Sequence, residues 1–373
     1  MKKIAVHGFY GYGNLGDEAI LRALLQEIYK NYNYVEVIVF SSNPKCVSKV
    51  HGVKCYPERG MLSILRRLYE IGSSKLFVLG GGGLLKDYGE DSSNIKRWLS
   101  LLNLAQKLGT KTATYAIGVE NIIYNDSIKM LRNTLERVDL ITVRDKLSEN
   151  LIKKIGVENQ VIVTSDPAVL LAGRNTRRRN LKEPPRIMVC LRHWFSKGFY
   201  IENSNANENF MRILGKALDY IVDNYKGIID FVPLRTISYD DDRIVAKQVI
   251  SYMNNRDKCN IFNHAIDLDN FIKLLDQRYS IVIGMRLHSL ILSTALGIPA
   301  IGLEYSPKVR AYMESINQDK YSLDLKNLNY DELIKIIDSV FLKYSTISKS
   351  ICSSISTLKR KAYRNIEMLI GLL

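Results

Sequence analysis

Short apolar runs with the β-branched character of buried strands alternate along the chain with longer stretches of helical periodicity. In the first half, strands are predicted at residues 4–7, 35–40, 75–79, 111–119, 140–144 and 161–165. Helices are predicted between them, for example at residues 17–30 and 94–108. Because such alternation is typical of parallel sheets covered by helices on both faces, the chain is predicted to be an α/β protein.

The alternation is interrupted once and then restarts. Residues 174–185 are basic and polar and end in two prolines, which is typical of a linker. Beyond them, strands are predicted at residues 186–191, 227–234, 260–263, 279–284 and 300–304, and helices at 330–344 and 353–372. We therefore expect two Rossmann-like domains that face a cleft. Their predicted bounds are 1–175 for the N-terminal domain, 176–185 for the linker, 186–345 for the C-terminal domain and 346–373 for a C-terminal helix that packs back on the N-terminal domain.

The length and the charge narrow the class of protein. A chain of 373 residues exceeds one typical domain, and its formal net charge is +15. Such a charge suits nucleic acid, an anionic membrane face or acidic substrates. The basic residues are scattered apart from one cluster at 174–179, and no nucleic-acid-binding module is recognisable, so no nucleic acid is expected as a partner.

Cysteine spacing and the N-terminus bear on the compartment. The five cysteines are widely spaced, and none has the spacing of a disulfide framework or a zinc site. The chain begins with a short strand rather than an apolar signal segment, and no apolar run reaches the length of about 18 residues that suggests a membrane span. We expect a cytoplasmic protein. A peripheral contact with the inner membrane face and the oligomeric state are left open.

The most informative motif is GMRLHS at residues 284–289, directly after a predicted strand. Arg286 and His288 are therefore expected where a strand ends and a helix begins, the edge at which open α/β sheets bind ligands. Lys308 follows the next predicted strand. An arginine, a titratable histidine and a lysine suit a small, highly charged anion and a proton transfer. The structural alternative is a loop in which the same side chains only bind backbone carbonyls.

A glycine-rich loop follows the first strand. Gly11 to Gly16 spell GxGxxG, but the first glycine comes four residues after the strand, and the second strand ends without a carboxylate for a ribose. A dinucleotide site is therefore not favoured. Gly13, Asn14 and Gly16 are candidates for close approach of the backbone to a substrate. Asp17 is interpreted as the N-cap of the next helix, as a contact to a substrate hydroxyl, or as both.

A second glycine cluster, Gly80 to Gly83, is predicted to form a strand-to-helix turn. Four glycines allow close backbone approach, so Gly81, Gly82 and Gly83 are candidates for a ligand loop. Asp87 is a candidate partner for a hydroxyl or for backbone.

Two more arginines are predicted at strand ends. Arg144 is expected at the ligand edge of the first sheet, with Asp145 as a helix N-cap, and Arg192 follows the first strand of the second domain. The acidic run 240–242 is interpreted as helix capping rather than as a metal site, because adjacent residues at a helix start point in different directions.

Together these segments resemble the polysaccharide pyruvyl transferase family. The matching pieces are Gly-Asn-x-Gly-Asp-Glu at 13–18, Gly-Gly-Gly-x-Leu-x-x-Asp at 80–87, Val-Arg-Asp at 143–145, Gly-x-Arg-x-His at 284–288 and Tyr-x-Pro-Lys at 305–308. They occur in the expected order over nearly the whole chain. One departure lies at residues 118–121, where such proteins often carry Gly-x-Gly-Pro and this chain has Gly-Val-Glu-Asn.

The resemblance implies a GT-B-like architecture and transfer of a pyruvyl group from phosphoenolpyruvate onto a sugar as a cyclic ketal. Arg144 and Arg286 are then assigned to the donor's carboxylate and phosphate, with the order left open, and Arg192 to donor binding. Lys308 would assist departure of phosphate. His288 would act as the acid or the base, and Asp17 would orient or deprotonate the acceptor.

No metal and no organic cofactor is expected, because the donor brings its own leaving group. The expected partners are phosphoenolpyruvate and a saccharide acceptor. A basic surface would suit an acceptor that is linked to a lipid diphosphate. Two alternatives are a glycosyltransferase with a nucleotide-sugar donor, for which Glu304 is the candidate ribose ligand, and a non-catalytic carbohydrate-binding relic.

Overall fold

The computed structural model describes residues 2–87, 91–193, 204–238 and 240–373. The chain divides into two compact units: unit 1 comprises Met1–Leu171 with Leu358–Leu373, and unit 2 comprises Ala172–Thr357. None of the helices in the described ranges combines the length and the apolar content that a bilayer crossing requires.

Unit 1 contains one parallel sheet. Its strands are β1 (Lys2–His7), β2 (Val35–Ser41), β3 (Lys54–Pro57), β4 (Leu76–Leu79), β5 (Gly82–Lys86), β6 (Lys111–Glu120), β7 (Leu140–Val143) and β8 (Val161–Val163). They lie in the order β3-β2-β1-β4-β6-β7-β8, and β5 pairs with β6 beside this path. The helices are α1 (Leu15–Asn31), α2 (Pro44–His51), α3 (Ile64–Gly72), α4 (Ser93–Lys107), α5 (Asn125–Leu135) and α6 (Lys146–Lys154).

The sheet of unit 1 is buried on both faces, which explains why its strands are almost continuously apolar. Ala5 on β1 and Phe77 on β4 are fully buried in a core that includes Trp98 and Leu102 of α4. The last part of the chain also belongs to this unit. There the buried Asn365 side chain contacts Thr142 and Thr164 at the ends of β7 and β8.

Unit 2 contains a second parallel sheet. Its strands are β9 (Arg186–Cys190), β10 (Ile228–Phe231), β13 (Cys259–Ile261), β14 (Ile281–Gly284), β15 (Ala300–Glu304) and β16 (Ser322–Asp324), in the order β13-β10-β9-β14-β15-β16. A small antiparallel pair joins β11 (Thr236–Ile237) to β12 (Asp240–Asp241). The helices are α7 (Ser204–Tyr225), α8 (Asp242–Ser251), α9 (Leu268–Arg278), α10 (Leu287–Ala295), α11 (Pro307–Ser315), α12 (Tyr330–Leu342) and α13 (Tyr344–Gly371).

Short 3₁₀ segments complete the described secondary structure. They occupy Met61–Ser63, Pro167–Asn175, Arg256–Lys258, Asp319–Tyr321 and Leu325–Asn327.

The structure differs from the sequence-based expectation in the four-glycine segment. Gly80 to Gly83 do not form a strand-to-helix turn, because the chain continues directly into β5 and the next helix begins only at Ser93. β5 pairs with β6 through an irregular register between Gly82 and Leu85. An extra strand of five residues is hard to distinguish from a loop by pattern alone.

The chain between the two sheets also differs from expectation. Residues 176–185, predicted as a linker, belong to unit 2, and Arg179 among them is buried. The Arg179 guanidinium donates to the backbone carbonyls of Leu296 and Asp276. This arginine therefore helps pack unit 2 rather than being solvated. The last helix, α13, begins at Tyr344, nine residues before the predicted start at 353, and runs from unit 2 into unit 1.

Candidate functional site

The strand order of unit 2 places two predicted site residues at one point of its sheet. From β9, the chain proceeds through β10 and β13 on one side, whereas β14, β15 and β16 lie on the other. Such a reversal leaves a crevice at the carboxyl ends of the two central strands, where ligands of open α/β sheets bind. Arg192 follows β9 by two residues and Arg286 follows β14 by two residues, so both lie at this edge.

Arg286 is held by two aspartates that precede or begin α8. Its Nη2 lies 3.0 Å from Asp240 Oδ1 and in close contact with Asp242 Oδ1, while its Nε lies 3.1 Å from Asp242 Oδ2. Asp242 also accepts hydrogen bonds from the amides of Leu234 and Arg235. Among the residues that the structure describes, none accepts a hydrogen bond from Nη1 of Arg286. Nη1 is thus the guanidinium nitrogen that the two aspartates do not engage.

The charges at this edge are strongly coupled. Burial lowers the pKa of Arg286, but Asp242 and Asp240 outweigh burial and raise it. Burial raises the pKa of Asp242, and the nearby Arg286 only partly offsets this. The pKa of Asp240 is lowered in spite of burial, because Arg286, Arg192 and Arg235 all lie near its carboxylate. Three guanidinium groups thus surround two carboxylates, which leaves an excess of positive charge.

Tyr305, just after β15, connects two more predicted residues. The Arg192 guanidinium carbon lies 4.7 Å and the Lys308 Nζ 5.2 Å from the centroid of its ring, and Arg192 Nη1 donates to its hydroxyl at 3.1 Å. His288 is the second residue of α10 and is half-buried. Arg192, Arg286, His288 and Lys308 therefore follow the three adjacent strands β9, β14 and β15.

The corresponding point in unit 1 lies between β1 and β4, because β2 and β3 are on one side and β6, β7 and β8 on the other. The two glycine-rich segments follow these central strands. Gly82 has a φ of +100°, and a Cβ there would collide with Asp17 Oδ1. A Cβ at Gly81 would lie 2.8 Å from the carbonyl oxygen of Tyr115. Glycine is required at both positions so that this segment can pack against α1 and β6. Whether Gly81, Gly82 and Gly83 also approach a ligand stays a prediction.

The first glycine loop corrects one detail of the sequence analysis. Helix α1 begins at Leu15, and Asn14 is its N-cap, with a side chain that accepts from the Gly16 amide at 3.2 Å. Asp17 is thus not the N-cap but a buried residue in the first turn, where its carboxylate also complements the helix dipole. Gly13 has a φ of +68° and is exposed.

Asp87 binds backbone. Its Oδ2 accepts from the amides of Ile123 and Tyr124 at 2.7 and 3.0 Å, and its Oδ1 accepts from the hydroxyl of Ser127. These three donors surround the start of α5, so the carboxylate stabilises that helix end. The structure thus gives Asp87 both kinds of partner considered from sequence, two backbone amides and a hydroxyl, the latter from Ser127.

Arg144 lies at the carboxyl end of β7 and is buried among acids. Its guanidinium lies 3.5 Å from Glu120, 3.3 Å from Asp145 and 3.5 Å from Asp166. Burial lowers its pKa, yet these carboxylates outweigh that effect and raise it. Asp145 is confirmed as the N-cap of α6, accepting from the Ser148 amide at 2.7 Å. A donor anion at Arg144 would have to compete with three carboxylates.

A cluster around Glu58 was not predicted from sequence. Its carboxylate contacts His7 Nε2 at 3.3 Å, Arg97 Nη2 at 2.9 Å and the hydroxyl of Tyr12. Burial opposes ionisation, but these partners hold the pKa of Glu58 at about 2. Burial and Glu58 together raise the pKa of Tyr12 to about 12. The signal was hidden because His7, Glu58 and Arg97 are far apart in sequence.

Helix capping, the role predicted for the acidic run 240–242, accounts for only part of it. Asp241 is the N-cap of α8, as predicted, but Asp240 and Asp242 bind Arg286. Within the described ranges, no group of His, Cys, Asp and Glu is arranged to hold a metal ion. Glu304, the candidate ribose ligand, is instead engaged by Arg310 at 3.3 Å and by the Ser322 hydroxyl.

Comparison with known proteins now decides the family. The family model for polysaccharide pyruvyl transferase matches residues 14–307, most of the chain. The chain belongs to the polysaccharide pyruvyl transferase family. The resemblance inferred from five short motifs is thereby confirmed, and the protein is placed among transferases of polysaccharide biosynthesis.

A curated relative supports this placement. The chain is 20% identical to the amylovoran biosynthesis protein AmsJ of Erwinia amylovora over 408 residues, which covers 95% of each chain.

Solved structures agree on the fold. The UDP co-structure of S. aureus MnaA superposes with a TM-score of 0.64 at 11% identity, covering 100% of this chain and 98% of that one. A glycosyltransferase from Rickettsia africae gives a TM-score of 0.61 at 16% identity, with the same coverage. At such identities the likeness concerns fold alone. It confirms the predicted α/β class with two Rossmann-like, GT-B-like domains.

Proposed function

We propose that this family member transfers the pyruvyl group of phosphoenolpyruvate to a saccharide as a cyclic ketal and releases phosphate. The observation that carries the proposal is the excess of cations at the carboxyl edge of the unit 2 sheet. Arg192, Arg286 and Lys308 lie there beside a histidine, His288. Family membership supports pyruvyl transfer, and the cations suit a donor with close to three negative charges.

The arginines suit the donor's two anionic groups in different ways. Arg286 is fixed by Asp240 and Asp242 and offers Nη1, so its orientation does not have to be established on binding. Arg192 is fixed against Tyr305. Lys308 is a point charge near the same ring and suits a phosphate that gains charge as it leaves.

The proposed chemistry uses His288 as the acid. The imidazolium gives its proton to the methylene carbon of the donor, which becomes a methyl group, and positive charge develops at the neighbouring carbon. One sugar hydroxyl adds there and loses its proton back to the imidazole. The carbon–oxygen bond to phosphate then breaks, a second hydroxyl of the sugar adds, and its proton leaves with phosphate. A nearby trianion stabilises the imidazolium form, which favours the acid role.

Unit 1 is proposed to bind the saccharide, with Asp17 orienting an acceptor hydroxyl. Asn14, Gly13, Gly16 and the glycines that follow β4 would form the loops near that sugar. The assignment of Arg144 to the donor stays a prediction. A lipid-diphosphate-linked acceptor at the cytoplasmic face of the membrane suits the net charge of +15.

The proposal is tested by isothermal titration with phosphoenolpyruvate, UDP and NAD. Lys308→Met is compared with Lys320→Met, because both lysines lie 5.2 Å from a tyrosine ring centroid. Lys320 precedes β16 and so lies at the opposite, amino edge of the sheet. We expect phosphoenolpyruvate alone to bind, Lys308→Met to weaken it about ten- to hundredfold, and Lys320→Met to leave it unchanged. Binding of UDP without phosphoenolpyruvate would instead favour a nucleotide-sugar glycosyltransferase.

A further inference from the structure

Large apolar side chains are concentrated on the surface of unit 1 between β3 and β4. Met61, Leu62, Leu65 and Tyr69 are 85%, 104%, 80% and 64% exposed, and Ile64 is also exposed. These five residues, here called the 61–69 patch, account for five of the thirteen exposed large hydrophobic residues described in the chain. Single exposed apolar residues are ordinary, but a contiguous group marks an interaction surface.

The exposed charges at the 61–69 patch are positive. Arg59 precedes the patch and Arg66 and Arg67 lie within it, and the side chains of Arg59 and Arg66 are more than half exposed although they pair with Glu58 at 3.6 Å and with Glu70 at 2.9 Å. The acidic residues of this segment, Glu58 and Glu70, are nearly inaccessible at 4% side-chain exposure each. The surface thus combines protruding apolar groups with exposed guanidinium groups and no exposed carboxylate of its own segment.

The local geometry matches an interfacial helix. Residues Met61–Ser63 form a 3₁₀ turn that continues into α3, whose other side buries Glu70 and Ile71. The Arg66 guanidinium lies 4.6 Å from the ring of Tyr56 and donates to its hydroxyl at 2.7 Å. Apolar side chains on one face, with arginine and tyrosine beside them, are the composition of helices that lie in the headgroup region of a bilayer.

We propose that the 61–69 patch docks unit 1 on a membrane that contains anionic phospholipid. The apolar side chains would enter the boundary between headgroups and acyl chains, and the three arginines would contact lipid phosphates. Charge complementarity favours this occupant, since the patch is basic and the whole chain carries +15. Leu62 is fully exposed, which suits insertion into a fluid phase.

Glu58 links the chain segment of the 61–69 patch to the loop after β1. Glu58, three residues before Met61, contacts His7 at the end of β1 and Tyr12 in the glycine-rich loop. Docking would therefore bring the carboxyl edge of the first sheet to the headgroup surface. That this placement would serve a lipid-linked saccharide rests on the proposed function. The docking of the 61–69 patch on a membrane does not depend on it.

The test is flotation of the full chain with vesicles of phosphatidylcholine alone and of phosphatidylcholine mixed with phosphatidylglycerol. The double variant Leu62→Asp, Leu65→Asp is compared with Leu342→Asp, because Leu342 on α12 is 81% exposed and lies in the other unit. We expect binding to the anionic vesicles that falls with added salt. The double variant should lose at least about tenfold in partition coefficient, and Leu342→Asp less than about twofold.

Three results would overturn the proposal. They are no vesicle binding by the wild type, equal losses in the two variants, or a wild-type dimer that the double variant dissociates, which would make the patch an interface between copies. Circular dichroism checks that each variant is folded. Titration with phosphoenolpyruvate separates membrane docking from the proposed pyruvyl transfer, because the proposed donor residues lie in unit 2. Vesicle binding without binding of phosphoenolpyruvate would support docking and overturn the proposed function.

Discussion

Replacing Arg286 with alanine is expected to destabilise unit 2 as well as to abolish donor binding. The variant leaves Asp242, which is buried, and Asp240 without the cation that compensates them. Removing one partner of a buried ion pair typically costs about 3–5 kcal/mol. For a domain of this size, that corresponds to a fall in melting temperature of roughly 6–20 °C.

The loss should depend on pH in a defined direction. Burial already raises the pKa of Asp242 and opposes ionisation of Asp240, and Arg286 lowers both values. Without Arg286, the Asp242 carboxyl binds its proton still more tightly in the folded state than in the unfolded state, whereas Asp240 keeps Arg192 and Arg235 as partners. The contribution of Asp242 to stability therefore falls as the pH rises from its unfolded pKa to its folded pKa. The deficit of Arg286→Ala should be smaller near about pH 5 than near about pH 8.

Calorimetry of three variants separates the structural role of Arg286 from ligand binding. Adding Asp242→Asn to Arg286→Ala should recover about half of the lost stability or more, because the buried charge is removed, while donor binding stays lost. Arg243→Ala is the matched control. Arg243 pairs at 2.6 Å with Asp241 of the same acidic run, but this pair is partly exposed, and its loss should cost less than about 1 kcal/mol. A loss below about 1 kcal/mol in Arg286→Ala, or one that does not change with pH, would refute the reasoning.

Two further predictions concern unit 1. Gly82→Ala should lower the free energy of unfolding in urea by about 2 kcal/mol or more, because it adds a clash with Asp17 to the strain of a positive φ. The control Gly109→Ala, with a φ of +73° and no atom within 4 Å of its Cβ, should lower it by only about 1 kcal/mol. Equal losses would contradict the close approach of Gly82 to Asp17. Glu58→Gln should remove up to about 3 kcal/mol of stability at neutral pH, because the folded pKa of Glu58 is about 2 against 4.5 in the unfolded chain. The wild-type advantage should be lost as pH falls through that interval, and acid-unfolding curves that stay parallel would argue against it.

The general fold could be predicted from sequence because its central strands are long apolar runs. β1, β6, β14 and β15 were placed to within a few residues, since their burial on both faces leaves little polar interruption. The elements between residues 41 and 75 were not predicted. β3 has only half-buried or exposed residues, and α3 presents apolar side chains to solvent, so neither shows the periodicity of a buried face.

The site could be predicted only in part. Strand-end position identified Arg192, Arg286, His288 and Lys308 because all of them follow recognisable strands. The partners of Arg286 were missed, since Asp240 and Asp242 lie more than forty residues away in sequence. Their spacing within one acidic run suggested helix capping, and capping explains Asp241 alone.

The balance of charge at the two sheet edges supports a division of labour between the units. In unit 1, Arg144 is buried with Glu120, Asp145 and Asp166 around it and Asp17 nearby, so acids outnumber the cation. At the edge of unit 2, Arg192, Arg235, Arg286 and Lys308 outnumber the aspartates 240 and 242. An anion with close to three charges is favoured where cations are in excess and disfavoured where carboxylates are. A saccharide hydroxyl has the opposite preference, since a carboxylate can orient it and accept its proton. The same electrostatic reasoning therefore supports donor binding in unit 2 and acceptor binding in unit 1.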